Sequence, residues 1–101
     1  DITIDGRHKL YINKSGVENN HYDIQIGAGA SINIQVDSGD VNIHTIQGKI
    51  NMNAGGDYNL KVGGNYTVEV AGNTSETIEG TKTSNTTGAV IHRGATIDLN
   101  P

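Results

Sequence analysis

From Ile50 to Val70 the chain alternates between two kinds of residue. The even positions are Ile50, Met52, Ala54, Gly56, Tyr58, Leu60, Val62, Gly64, Tyr66, Val68 and Val70. The odd positions between them are Asn51, Asn53, Gly55, Asp57, Asn59, Lys61, Gly63, Asn65, Thr67 and Glu69. Successive side chains of a β-strand point to opposite faces, so this pattern predicts strands with one apolar face and one hydrated face. The same alternation runs earlier through Tyr22, Ile24, Ile26, Ala28, Ala30, Ile32, Ile34 and Val36. Parity then slips, since Val41 and Ile43 are odd and Ile46 is even again. Bulges or altered turns are predicted around Ser38-Gly39-Asp40 and at Thr45. The first 21 residues are less regular. Ile2 with Ile4, and Leu10 with Ile12, read as short strands joined at Asp5-Gly6, with a loop from Ser15 to Asn20.

A second period lies over the first. Gly48, Gly56, Gly64, Gly72, Gly80 and Gly88 follow one another at intervals of eight residues. Written as octads the stretch reads GKINMNAG, GDYNLKVG, GNYTVEVA, GNTSETIE, GTKTSNTT. Two residues before each glycine stand Ile46, Ala54, Val62, Val70, Ile78 and Thr86. A fixed period of this kind marks a repeat architecture. Because eight is even, the apolar face stays in phase from one repeat to the next. The predicted inward row comprises Ile46, Ile50, Met52, Tyr58, Leu60, Val62, Tyr66, Val68, Val70 and Ile78, with the repeat glycines at the turns. Past Gly88 the phase is lost, and the chain ends through Ile97 and Leu99.

Composition agrees with an all-β chain. Of 101 residues, 20 are Ile or Val and ten are Thr, whereas Leu, Ala and Met together supply ten. Helix formers are scarce beside β-branched residues, 14 Gly and 12 Asn, which excludes a helical bundle. No run approaches the roughly 20 apolar residues of a membrane-spanning helix. There is no Cys, so disulfide and thiolate chemistry are absent. The formal net charge is −4 and Lys and Arg do not cluster, which argues against a nucleic-acid partner. One domain is the natural count for this length. A start at Asp1 without Met or an apolar leader reads as a piece of a longer protein.

One octad buries one narrow face and encloses no core. A single-chain solenoid needs about 20 residues per coil, so three octads a coil would leave hardly more than two regular coils. Three identical chains, each supplying one side of a triangular prism, use all six repeats equivalently. They also pair every strand edge, and closed cyclic symmetry is an ordinary oligomer form. The expected organisation is an irregular lead-in over 1–21, a β-helix over 22–88 with octads clearest at 47–88, and a tip or cap over 89–101.

The repeat Val-x-Gly plus five residues, seen as Val62-Gly63-Gly64 and Val70-Ala71-Gly72 with Ile78-Glu79-Gly80 as a variant, resembles the octapeptide repeat of contractile-tail phage spikes. In that family, the tail-associated lysozymes of the baseplate central spike, the repeat builds a C-terminal needle. The spikes of bacterial type VI secretion, the VgrG proteins, are its relatives. The resemblance implies a trimeric, triple-stranded, intertwined β-helix built on octapeptide Val-x-Gly repeats. It covers Gln47 to about Gly88 strongly, residues 22–46 by alternation only, and the first 21 not at all. Thr86 replaces the Val or Ile of the pattern, and the parity slips interrupt the prism. The closing Ala95-Thr96-Ile97-Asp98-Leu99-Asn100-Pro101 is similar to the ends of such needles.

Other motifs carry less. Gly55-Gly56-Asp57 matches part of a calcium-binding nonapeptide, but the equivalent residues in later repeats are Asn65, Asn73 and Thr81, and the hard cation wants several carboxylates. Gly27-Ala28-Gly29-Ala30 lacks the Lys-Ser/Thr ending of a phosphate loop and reads as a tight stretch of close backbone approach. The sequons at Asn13, Asn65, Asn73 and Asn85 follow from an Asn/Thr-rich repeat. No catalytic residue is readable: His8, His21, His44 and His92 are far apart, and Glu76 and Glu79 fall on opposite strand faces. Glu76 and Lys82 continue the inward row by parity, as do Thr74, Ser84 and Thr86, and would line a polar, hydrated lumen. The alternative is a local register shift that turns both to solvent. His44 lies in the same row, and three copies of it, or of His92, on a threefold axis could hold a metal or an anion. No cofactor is otherwise required.

The resemblance therefore implies a non-enzymatic, structural needle of the virion tail baseplate that punctures the host envelope mechanically. Its implied partners are two further copies of the chain, the rest of the spike hub at the N-terminal end, and the host outer membrane in passing. A small tip protein of the PAAR-repeat kind would dock on Ile97, Asp98, Leu99, Asn100 and Pro101. A secretion-system spike is the same device in another machine. A β-solenoid adhesin or polysaccharide-binding module is the alternative of another class, disfavoured because the outward row offers no aromatic residues. A carbohydrate-cleaving β-helix is disfavoured by length and by the lack of a carboxylate cluster.

The period itself is testable. One residue inserted between Gly64 and Gly72 turns every later side chain to the other face, whereas a second copy of GNYTVEVA keeps the phase. Thermal melts should show the octad insertion near the parent and the single insertion strongly destabilised. Equal melting of the two would overturn a structural role for the repeat.

Overall fold

The computed structural model describes residues 1–12, 16 and 21–100. The expected loop from Ser15 to Asn20 (apart from Gly16), the sequon at Asn13 and the terminal Pro101 lie outside the described residues. The chain divides into two units, Asp1–Met52 and Asn53–Pro101.

In the second unit the backbone bends at 55–56, 63–64, 71–72, 79–80 and 87–88. Each bend takes in a repeat glycine and the residue before it. Between them run unbent segments at 57–62, 65–70, 73–78 and 81–86. Alternating apolar and polar residues favour extended backbone at 57–62 and 65–70, and β-branched Thr and Ile favour it at 73–78 and 81–86. The bend persists where the first of its two residues is Ala71, Glu79 or Thr87, so a single glycine suffices. Beyond Gly88 the bends fall at 95 and 99, and the eight-residue spacing is gone.

The first unit is less regular. It bends at 5–6, at 12, at 37–39 and at 46–48, and turns at 28–29. The amide of Ala30 donates to the carbonyl of Gly27 at 3.3 Å, closing a β-turn over Gly27-Ala28-Gly29-Ala30. Gly29 has φ 79°, the value a type II turn requires at its third residue. The alternation from Tyr22 to Val36 is thus broken at Gly27-Ala28-Gly29-Ala30, the stretch whose sequence reads as tight. Apolar parity survives on both sides, but the turn divides the run.

Side chains fasten two of the bends, those at 37–39 and 46–48. The Gln35 amide Nε2 donates to Asp37 Oδ1 at 2.7 Å on entry to the bend at 37–39. There a Cβ on Gly39 would lie 3.3 Å from Val36 Cγ1. The amide of Gly48 donates to Thr45 Oγ1 at 3.2 Å, and a Cβ on Gly48 would come within 3.1 Å of that oxygen. A Thr hydroxyl that competes for backbone donors in this way favours turns over continuous strand. Both bends sit where the apolar parity slips.

Among the described residues there is no helix and no hydrogen-bonded strand pair. Within neither unit do two described residues twelve or more positions apart come within 8 Å between Cα atoms. A ladder needs a second strand at about 4.8 Å, and neither unit brings its own chain back to supply one. Every described residue is exposed, so none of them forms a buried core.

Gly29 is where an added side chain meets backbone strain. Gly29→Ala should destabilise the assembled protein by about 1–2 kcal/mol, the cost of a left-handed L-residue. Gly27→Ala, with nothing within 4 Å of its Cβ, should stay within about 0.5 kcal/mol of the parent. Paired thermal denaturation checks both, and equal losses would contradict the turn.

Candidate functional site

The feature that stands out chemically is an apolar row that the chain does not cover. In the second unit Tyr58, Leu60, Val62, Tyr66, Val68, Val70 and Ile78 are all exposed, from Val62 at 44% to Tyr66 at 64%, and in the first unit Ile46, Ile50 and Met52 are exposed as well. Scattered exposed apolar residues are ordinary, but a contiguous set marks an interaction surface. The total area gives the scale. The chain exposes 11505 Å², whereas a folded monomer of 10.7 kDa exposes about 5,500 Å² and an unfolded one about 15,500 Å². About 6,000 Å² more is open than a self-contained fold of this mass leaves open. That excess is several times the ~800 Å² each partner buries in a standard protein–protein interface.

The structure brings two of the predicted residues together. Lys82 Nζ lies 2.5 Å from Glu76 Oε1. Six residues of straight strand would separate their Cα atoms by about 20 Å, beyond the joint reach of the two side chains. The chain must therefore turn a corner between them, and it does so at 79–80. Glu76 and Lys82 meet on the inner side of that corner. Sequence parity places the two residues in one row but does not pair them. The signal that could have paired them is their offset from Gly80, four before and two after. Met52/Tyr58, Leu60/Tyr66, Val68/Thr74 and Ser84/Val90 hold the same offsets from their own glycines. In a lone chain the pair is weak, because its side chains remain 61% (Lys82) and 56% (Glu76) exposed and water screens them.

The remaining candidates stay apart. His44 and His92 are exposed, one in each unit, and no three metal-ligating side chains group among the described residues. A metal ring at either histidine would need further copies of the chain. Ile97, Asp98, Leu99 and Asn100 are all exposed, Leu99 at 90%, and Pro101 lies outside the described residues.

The repeat glycines pose a problem that the chain alone does not answer. The positive-φ glycines are Gly16 and Gly29, neither of them in the octad series. A Cβ built on Gly56, Gly64, Gly72, Gly80 or Gly88 would meet nothing within 4 Å. Neither backbone conformation nor local space within the chain calls for glycine every eight residues. Close approach by another chain would.

The sign of one substitution separates these cases. If nothing approaches Gly64, Ala there should stabilise by about 0.4–1 kcal/mol through the unfolded state. We expect the opposite, a lower melting temperature for Gly64→Ala, and likewise for Gly72→Ala. A rise at both positions would remove the case for interchain contact there.

Comparison with known proteins yields one match. Residues 56–85 match the Gp5 C-terminal repeat, in three copies. Searches of curated proteins and of solved structures gave no match.

Proposed function

We propose that this chain is the envelope-piercing needle of a phage baseplate spike, since residues 56–85 match three copies of the Gp5 C-terminal repeat. Three chains wind into a triple-stranded β-helix, each octad supplying one side of a prism. The observation that carries this reading is the coincidence of the matched repeats with bends at every repeat glycine. The exposed apolar row and, among the described residues, the absence of a strand partner within either unit support it as well. Each is a deficit in one chain that two further copies make good. Apolar rows meet along the shared axis, and each backbone edge pairs with a neighbouring chain.

The mechanism is mechanical and needs no catalytic group. Three wound chains separate only by breaking many interchain hydrogen bonds together, so the assembly resists axial load as a unit. Its outer face is rich in Asn, Thr and charged residues. Such a face prefers water to hydrocarbon, so the needle passes through a bilayer without staying in it. The N-terminal end joins the remainder of the spike. At the other end, Ile97 to Pro101 from three chains would close the open layers, or seat a small PAAR-like tip protein on a blunt platform. Rings of His44 or His92, one from each chain, would be the places for an axial metal or anion.

Light scattering at micromolar concentration should give three times the chain mass of 10.7 kDa, and the assembly should resist SDS until heated. Leu60→Ala occurs three times at one level, so a cost of about 2–5 kcal/mol per cavity should abolish that resistance. Lys61→Ala on the hydrated face should not. A folded monomer would overturn the reading.

A further inference from the structure

A period-eight needle has an assembly problem. If one chain slips by a whole octad against its neighbours, glycines still fall level with glycines, and from Ile50 to Val70 apolar residues still face apolar residues. Register is weakly specified wherever a pattern repeats itself in this way. Something must distinguish one octad from the next.

Along the even row from Ile50 to Thr86 the only charged residues are Glu76 and Lys82, and they are the two residues paired across the corner at 79–80. At the same offsets the other corners carry His44/Ile50, Met52/Tyr58, Leu60/Tyr66, Val68/Thr74 and Ser84/Val90. One layer of the six pairs a carboxylate with an ammonium. We infer that the Glu76–Lys82 pair is a register lock that selects the in-phase alignment of three copies of this chain. This rests on the trimeric reading above and adds to it what fixes the alignment.

The chemistry is asymmetric between the two alignments. In phase, three carboxylates and three ammoniums share one layer, so each charge has its own partner and neighbouring opposite charges to complete its hydrogen bonds. Slipped by an octad, the pair from one chain is desolvated against Val68/Thr74 or Ser84/Val90 of the others. A buried ion pair without such complements costs more in desolvation than its own attraction returns. Polar residues at one core position fix register in coiled coils by the same logic, at some cost in stability. The lock should therefore be dispensable for stability and needed for uniqueness.

Because the chain has no cysteine, Thr67→Cys on the hydrated row gives one spin label per chain. Distances between labels in the assembled protein then report alignment. The parent should show a single distance. Glu76→Met with Lys82→Tyr, which copies the Met52/Tyr58 corner, should remain trimeric and melt no lower, yet show a second, longer distance from slipped chains. The exchanged variant, Glu76→Lys with Lys82→Glu, keeps one ionic layer and should keep the single distance. A single distance in the apolar variant would overturn the lock and assign register to the irregular ends. If the apolar variant does not assemble, the exchanged variant decides, and a mixed register there overturns the lock. A monomeric parent would instead defeat the trimeric reading on which the lock rests, and solution mass distinguishes that outcome from the others.

Discussion

The constraint on which everything else depends is that, among the described residues, neither unit of this chain folds back on itself. Extended backbone without a neighbouring strand leaves its N–H and C=O groups facing water, and an apolar row without a facing layer stays wet. Both conditions hold through the octad repeats, where the bends at 63–64, 71–72 and 79–80 turn corners without reversing the chain. A hairpin turn at any of these glycines would have let the chain pair with itself. The excess of exposed surface over that of a compact monomer is the quantitative form of the same fact.

An even period is what makes this open chain usable. Eight residues hold a six-residue segment and a two-residue bend, and return each side chain to the face from which the last repeat left it. The apolar row can then continue through several corners without interruption. Where the period fails, the chemistry of the failure is visible. Thr45 captures the amide of Gly48, Gln35 reaches Asp37, and a type II turn at Gly29 divides what would otherwise be one long alternating run. The irregular features of the second unit lie past Gly88, in the segment that the proposed function assigns to the tip.

The repeat glycines and the Glu76–Lys82 pair are the features that the proposed assembly would explain. A glycine with ordinary φ and empty space about its Cβ costs backbone entropy for no return within the chain. An exposed ion pair likewise contributes little by itself. Under the proposed trimer each would gain a purpose: the glycine would admit a neighbouring backbone, and the ion pair would mark one layer among the repeats.

Much was legible in the sequence because β-structure writes itself in periods. The alternation of Leu60, Val62, Tyr66 and Val68 with polar residues, and the glycine at every eighth position, yield the face, the phase and the resemblance that the match over 56–85 supports. These are local properties, set by where successive Cβ atoms point, and need no knowledge of distant contacts. The structure decided what depends on the angle of a corner. It paired Glu76 with Lys82, which parity places in one row but cannot bring within 2.5 Å. It also turned the chain at Gly29, where alternation runs on unbroken but a positive φ does not allow a straight strand. Periodicity tells which way a side chain faces, while distance across a bend depends on backbone dihedrals that a pattern of apolar and polar residues does not encode.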